Sequence, residues 1–215
     1  YAPTMPTFLS IAGPAHVVMD PTKGSRFIGD AAPDTTEAQA QAFIEDIRSR
    51  ESSAHHHCYA WRLARGDRDW RAWDDGEPGG TAGLPILARI DGAELVGVVV
   101  VVTRYFGGTK LGKGGLIRAY GGAASRGLDA ADIIERVQRR SFSLSYEYTD
   151  QGTIQGVLRA MNLTASSEDY GPKIRLCVPV PIEQIDEFKR AVQDRSAGRI
   201  QPVLVDASCP SSSSV

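Results

Sequence analysis

The stretch Val98–Tyr120, VVVVVTRYFGGTKLGKGGLIRAY, constrains the fold more than any other part of the chain. It opens on five consecutive valines and runs on through Thr103 to Phe106. β-Branched side chains suit a pleated surface, and an unbroken apolar run fits a strand covered on both faces. Five glycines follow within nine residues, at 107, 108, 112, 114 and 115. Glycine tolerates positive φ and permits close backbone approach. A helical pattern comes next, with Leu116, Ala119 or Tyr120, Ala123 and Gly127 along one face. Strand, glycine loop and small-residue helix form a layout that can hold an anion at the helix N-terminus.

Charge points the same way. No acidic residue lies between Glu94 and Asp129, yet that interval holds Arg104, Lys110, Lys113, Arg118 and Arg126. The whole chain has a net charge of −2, so any polyanion site is a local patch rather than a general coat of charge. The residues expected to contact phosphate are Arg104, Gly107, Gly108, Lys110, Gly112, Lys113, Gly114 and Arg118. The loop partly matches the GxxxxGK[ST] phosphate-binding pattern, with Gly107, Gly112 and Lys113 in place. Gly114 stands where the magnesium-binding hydroxyl belongs, which argues against a nucleotide hydrolase of that type.

At 215 residues the chain has room for one large or two small domains. Three widely spaced cysteines give no disulfide framework and favour a reducing compartment. The valine run falls well short of the roughly 18 apolar residues needed to span a membrane. No charged-then-apolar leader opens the sequence. Together these features lead to the expectation of a cytoplasmic protein without membrane contact.

Taken in order, the chain reads as short strands at Phe8–Ala12 and Val17–Met19, then a strand over Gly24–Ala32. A helix capped by Asp34 or Thr35 runs to about Arg50 with Ala40, Phe43, Ile44 and Ile47 on one face. Strands at His55–Arg65 and Trp70–Trp73 meet through a turn at Gly66-Asp67, and Thr81 is placed to cap a helix over Leu84–Ile90. From near Gln138 the pattern becomes βαββαβ, the order of a ferredoxin-like domain. The expected division is therefore residues 1–136, a ferredoxin-like unit over 137–207 and a disordered tail over 208–215, with the boundary between about Ala131 and Gln138.

His55-His56-His57-Cys58 suggests a metal cluster, but neighbours on a strand point to opposite faces. At most two of the four share an ion, so no metal and no cofactor are expected. Asp74, Asp75 and Glu77 form a carboxylate group whose simpler role is turn formation and charge pairing with Arg104 or Arg118. No nucleophile with its base is visible beside them, so no catalytic residue is assigned. His57, Asp75, Glu77 and Tyr105 stand as auxiliary candidates.

The blocks SRFIG, AHHHCYA, DDGEPGGTAGLPIL and VVVVVTRYFGGTKLGKGGLIRAYGGAA, followed by the βαββαβ tail, resemble the IMPACT/YigZ family over most of the chain. The resemblance implies a two-domain α/β (α+β) protein. Its first domain would have a fold of the kind seen in domain IV of elongation factor G and in a small-subunit ribosomal protein. Its second would be a ferredoxin-like module similar to domain V of that factor. Eukaryotic members regulate translation through a kinase-activating partner and carry a different extra domain, so that partnership is not carried over. For bacterial members, RNA or ribosome binding is implied by likeness of fold. The resulting expectation is a translation-related regulator that binds RNA or the ribosome through the glycine-rich basic loop. A phosphate-handling or metal-dependent hydrolase using Asp75, Glu77, His57 and the same loop is one rival. An adaptor for a protein partner is the other.

Overall fold

A computed structural model describes residues 7–33, 36–63 and 69–205. The chain divides into two compact units, one spanning Phe8–Arg136 and the other made of the residues from Val137 onward together with the N-terminal residues through Thr7. The expected caps at Asp34 and Thr35, the turn at Gly66-Asp67 and the tail from Ser208 lie outside the described residues.

The first unit is built on the valine strand. Strands β1 (Thr7–Ile11), β2 (Ala15–Val18), β3 (Arg26–Pro33), β4 (His56–Arg62), β5 (Trp70–Trp73) and β6 (Val98–Tyr105) alternate with helices α1 (Glu37–Arg50) and α2 (Gly83–Gly92). Helix α3 (Lys113–Asp129) follows β6, and β7 (Ile133–Val137) closes the unit. Five strands form one sheet in the order β2-β3-β6-β4-β5, with β6 at its centre. Every pairing in it is antiparallel. The valine run therefore does not signal a parallel sheet. It is apolar on both faces because both faces are covered. Val99 and Val101 pack with Ala40, Ile44 and Ile47 of α1. Val98, Val100 and Val102 pack with Ile86 and Ile90 of α2 and Leu116 and Tyr120 of α3. All five valines are fully buried, each contributing about 1.5–3 kcal/mol relative to exposure.

Alternation on β4 behaves as its sequence dictates. Tyr59 and Trp61 join the α1 side, while Cys58 and Ala60 join the α2/α3 side. Helix α1 is capped by Thr36, whose hydroxyl accepts from the Gln39 amide. Helix α2 has no cap from its own neighbour. Asp74 reaches across to do that work. Its carboxylate accepts from the amides of Gly80, Ala82 and Gly83 at 2.8–2.9 Å, while Thr81 donates to the Pro78 carbonyl instead. Helix α3 lies very close to β3, since a Cβ on Gly29 would stand 2.4 Å from the Ala123 carbonyl oxygen. The segment read from sequence as the domain boundary contains strand β7, which pairs with β1 in a separate two-stranded sheet.

The second unit runs β8 (Arg139–Tyr146), α4 (Gln151–Ala160), β9 (Ser167–Tyr170), β10 (Ile174–Pro181), α5 (Ile185–Arg195) and β11 (Val203–Val205). Its sheet order is β11-β8-β10-β9 and its pairings are antiparallel, which is the ferredoxin-like arrangement. Phe142 and Leu144 of β8 face Ile154 and Val157 of α4 and Phe188 and Val192 of α5 in one buried cluster. Asp150 makes no cap bond to α4; its carboxylate accepts from Arg199 at 2.6 Å.

Candidate functional site

The residues singled out in the sequence separate into a buried polar network and an exposed basic loop. The network starts from Arg104, near the end of β6. Its position in the strand places it on the α2/α3 side, above Phe27 at 5.5 Å. There it is 4% exposed and donates to Glu77 Oε1 at 2.5 Å. Tyr120 of α3 donates its hydroxyl to the same oxygen at 2.6 Å. His56 Nε2 stands 3.8 Å from it. A second Arg104 nitrogen donates to Ser25 Oγ, which also accepts from the Gly107 amide. One chain of contacts thus joins the DDGEP loop, the end of β6, the start of β3 and helix α3. A buried arginine and a buried carboxylate both need a partner, and each supplies the other's. Burial also pushes the Tyr120 hydroxyl and the Cys58 thiol well above their ordinary pKa values.

This corrects the expectation for Arg104. Its place in the acid-free basic segment makes it a candidate phosphate contact. Its side chain turns into the sheet and is neutralised by Glu77, so it offers no charge to a surface ligand. Gly107 is exposed, but its amide donates to Ser25 and its α-carbon lies against the backbone of Gly24.

The other loop residues are exposed as well. Gly108, Lys110, Gly112, Lys113, Gly114 and Arg118 all face solvent. Gly108 and Gly112 adopt φ of +84° and +72°, and Gly112 is the N-cap of α3. Arg118 folds back along the first turn of the helix. Its Nη1 lies 3.5 Å from where a Cβ on Gly114 would be. The loop thus gathers three exposed cations at a helix N-terminus, where unpaired amides and the helix dipole both favour an anion.

The auxiliary candidates do not converge on the loop. Tyr105 and His57 lie on the α1 side of the sheet, opposite Arg104 and His56. Tyr105 donates to Glu51 Oε2 at 2.6 Å and is overlain by Arg26 at 4.2 Å. His57 Nε2 is 3.1 Å from the Glu51 carbonyl. Asp75, at φ +44°, accepts from the His57 amide at 2.7 Å and lies 3.5 Å from Arg48. Of the charge pairing expected of the carboxylates with Arg104 or Arg118, the pair of Glu77 with Arg104 is present, while Asp75 lies against Arg48, a partner the sequence does not suggest. Among the described residues no group of three or more His, Cys, Asp or Glu is placed to hold a metal ion.

Sequence reasoning misses Ser25 and Tyr120 as working polar groups, and it gives Asp74 a turn-forming role without the helix it caps. Tyr120 reads as one apolar position in a helix stripe, and nothing local marks its hydroxyl as a partner for Glu77, which lies 43 positions earlier. The one available sign is that Ser25 and Glu77 each sit in a glycine-punctuated block.

The model of the Impact N-terminal domain matches residues 23–128, and that of a domain of unknown function (DUF1949) matches residues 144–199. The IMPACT family member YigZ of Escherichia coli is 34% identical over 204 residues, covering 94% of this chain and 100% of the relative. The IMPACT family member YvyE of Bacillus subtilis is 36% identical over 188 residues, 87% of this chain and 85% of that protein. A crystal structure described as that of a hypothetical protein superposes with a TM-score of 0.73 at 33% identity, covering 95% of this chain and all of the other. The matched regions contain both the buried Glu77–Arg104–Tyr120 network and the basic loop, and the chain belongs to the IMPACT family.

Proposed function

We propose that this protein binds RNA, free or within the ribosome, through the exposed basic loop, and acts in the cytoplasm as a translation-related regulator. The observation that carries the reading is the arrangement of Lys110, Lys113 and Arg118. All three are exposed around the N-terminus of α3, in a segment with no acidic residue from Leu95 to Leu128. Phosphates are the groups such a surface suits best, and contacts of this kind position a nucleic acid without reading its sequence. The buried network supports the loop from beneath by holding Gly107 through Ser25 and the middle of α3 through Tyr120. Membership of the IMPACT family is consistent with a role in translation.

The hydrolase reading has less support. Glu77, its central carboxylate, is 9% exposed and already accepts two hydrogen bonds. A protein partner is favoured by one feature, the edge strand β5. It displays Trp70 and Trp73 at 46% and 48% exposure on an open side of the sheet, the kind of edge to which another strand can add.

Co-sedimentation of the full chain with ribosomes and with ribosome-free RNA tests the proposal. Pelleting that disappears in the Lys110→Ala/Lys113→Ala variant supports it. Equal pelleting of variant and wild type, or none by either, overturns it.

A further inference from the structure

The loop and helix α3 also bound a cleft that phosphate contacts leave unused. It measures about 250 Å³, with Phe27 and Met19, Leu111 and Ala119 among its apolar lining and Lys23 and Arg118 as its cations. Pockets that enclose a drug-sized ligand run to about 300–1,000 Å³, so this one suits a single ring system. Its lining includes no carboxylate among the described residues. Arg118 brings its guanidinium back over Gly114, which sets a positive charge between the cleft and the free amides of the first turn. An apolar slot for a ring, flanked by cations and a helix N-terminus, complements a nucleotide at both of its ends.

We infer that the cleft seats one unpaired base of a single-stranded RNA whose phosphates cross Lys110, Lys113 and Arg118. The inference rests on the phosphate-binding reading above and adds the form of RNA taken. A base inside a duplex is stacked on both sides and paired at its edge, so it cannot enter. Single strands, loops and bulges can offer one, as in other proteins that take splayed-out bases.

Gly122 lines the cleft, and a Cβ placed on it meets nothing within 4 Å. Gly122→Leu therefore starts from an unobstructed Cβ, projects its side chain into the slot and replaces a poor helix former by a good one. Gly122→Ala leaves most of the space open. The experiment titrates the full-length wild type and both variants with a labelled single-stranded RNA, its duplex, and the same strand carrying abasic positions. A thermal melt confirms that each variant is folded. The expected result is a loss of about tenfold in single-strand affinity for Gly122→Leu, in line with one stacked base, with Gly122→Ala close to wild type. The abasic strand and the duplex should bind all three proteins alike and more weakly than the intact strand. A second measurement needs no variant: a fluorescent base analogue in the strand should become shielded from acrylamide quenching when wild type binds.

If Gly122→Leu binds the single strand as tightly as wild type, with the salt dependence of binding intact, the cleft is not the base site and the phosphate reading survives. If wild type binds no RNA, both readings fall. If a free mononucleotide binds as tightly as the oligonucleotide, the cleft is a small-molecule site and the inference is wrong.

Discussion

Gly24 and Gly107 meet backbone against backbone: a Cβ built on Gly107 would stand 1.9 Å from the Gly24 carbonyl carbon. Gly24 itself sits at φ +80°, where side chains are strained. The contact seats the glycine loop on the turn before β3, and no flexible side chain is available there to move aside.

Gly107→Ala should therefore destabilise the protein by about 3 kcal/mol or more, the upper end for overpacking. Gly114→Ala is the control. Its new Cβ meets only the Arg118 guanidinium, at 3.5 Å, and the helix should gain up to about 1 kcal/mol. Urea unfolding of both variants measures the difference, and similar midpoints would remove the role assigned to the Gly24–Gly107 contact.

Removing Glu77 leaves Arg104 buried without its counter-charge and Tyr120 without its acceptor. Glu77→Ala should cost about 3–5 kcal/mol. Tyr120→Phe removes one hydrogen bond to a charged group and should cost about 1.5–3 kcal/mol. The double variant Glu77→Leu/Arg104→Met removes both charges at once and should be clearly more stable than Glu77→Ala. A double variant as unstable as the single one would show that the network does more than satisfy itself.

Lys110 and Lys113 are exposed and clear of the core. Replacing both by Ala should leave the melt unchanged and weaken binding to many RNA sequences about equally. On a single strand, the slope of log affinity against log salt should fall by roughly 0.7 for each phosphate that is no longer neutralised. Titration at several salt concentrations checks this, and an unchanged slope places the phosphates elsewhere.

Alkaline pH should loosen the second unit. Burial, followed by nearby Tyr170 and Glu168, pushes the Tyr146 hydroxyl from 10.0 up to about 12, and that hydroxyl has no hydrogen-bond partner among the described residues. The folded state thus holds this proton more tightly than the unfolded state. The stability it reflects is fully present below pH 10 and is lost as pH rises towards about 12. Tyr120 and Cys58, also raised by burial, act in the same direction in the first unit. Melting temperature against pH, with tyrosinate absorbance followed in parallel, should fall over this window. In Tyr146→Phe the fall should be shallower for the second unit.

The fold is legible where local pattern and burial agree. The valine run reads as a strand covered on both faces and the stripe of Ala40, Ile44 and Ile47 as one buried helix face, and the structure covers all of them. Strand β7 escapes a sequence reading because Ile133–Val137 alternates with its apolar residues half-exposed or exposed, giving only a weak apolar signal. The site is legible in its charges but not in their directions. Lys110 and Lys113 lie in a glycine-rich loop and point outward, as composition suggests. Arg104 belongs to the same basic segment, yet strand register turns it inward to a carboxylate 27 positions away. The order of basic residues along the chain does not contain that register. Asp74 reads as a turn residue, and the same limit hides only which three amides its carboxylate accepts from.

The pairing of β1 with β7 has a mechanical consequence for the first unit. Its incoming and outgoing strands are held to each other, with the Ala12 amide bonded to the Asp132 carbonyl at 2.8 Å and Arg136 reaching the Ile11 carbonyl at 3.1 Å. β1 is tied a second time to the residues that lead into β6, where the Leu9 carbonyl accepts from the Val96 amide at 2.8 Å and the Ser10 hydroxyl donates to the Gly97 carbonyl at 3.2 Å. Tension entering before β1 and leaving after β7 is therefore shared between the ladder and this seam, and two short sets of bonds have to part together for the first unit to open from its ends.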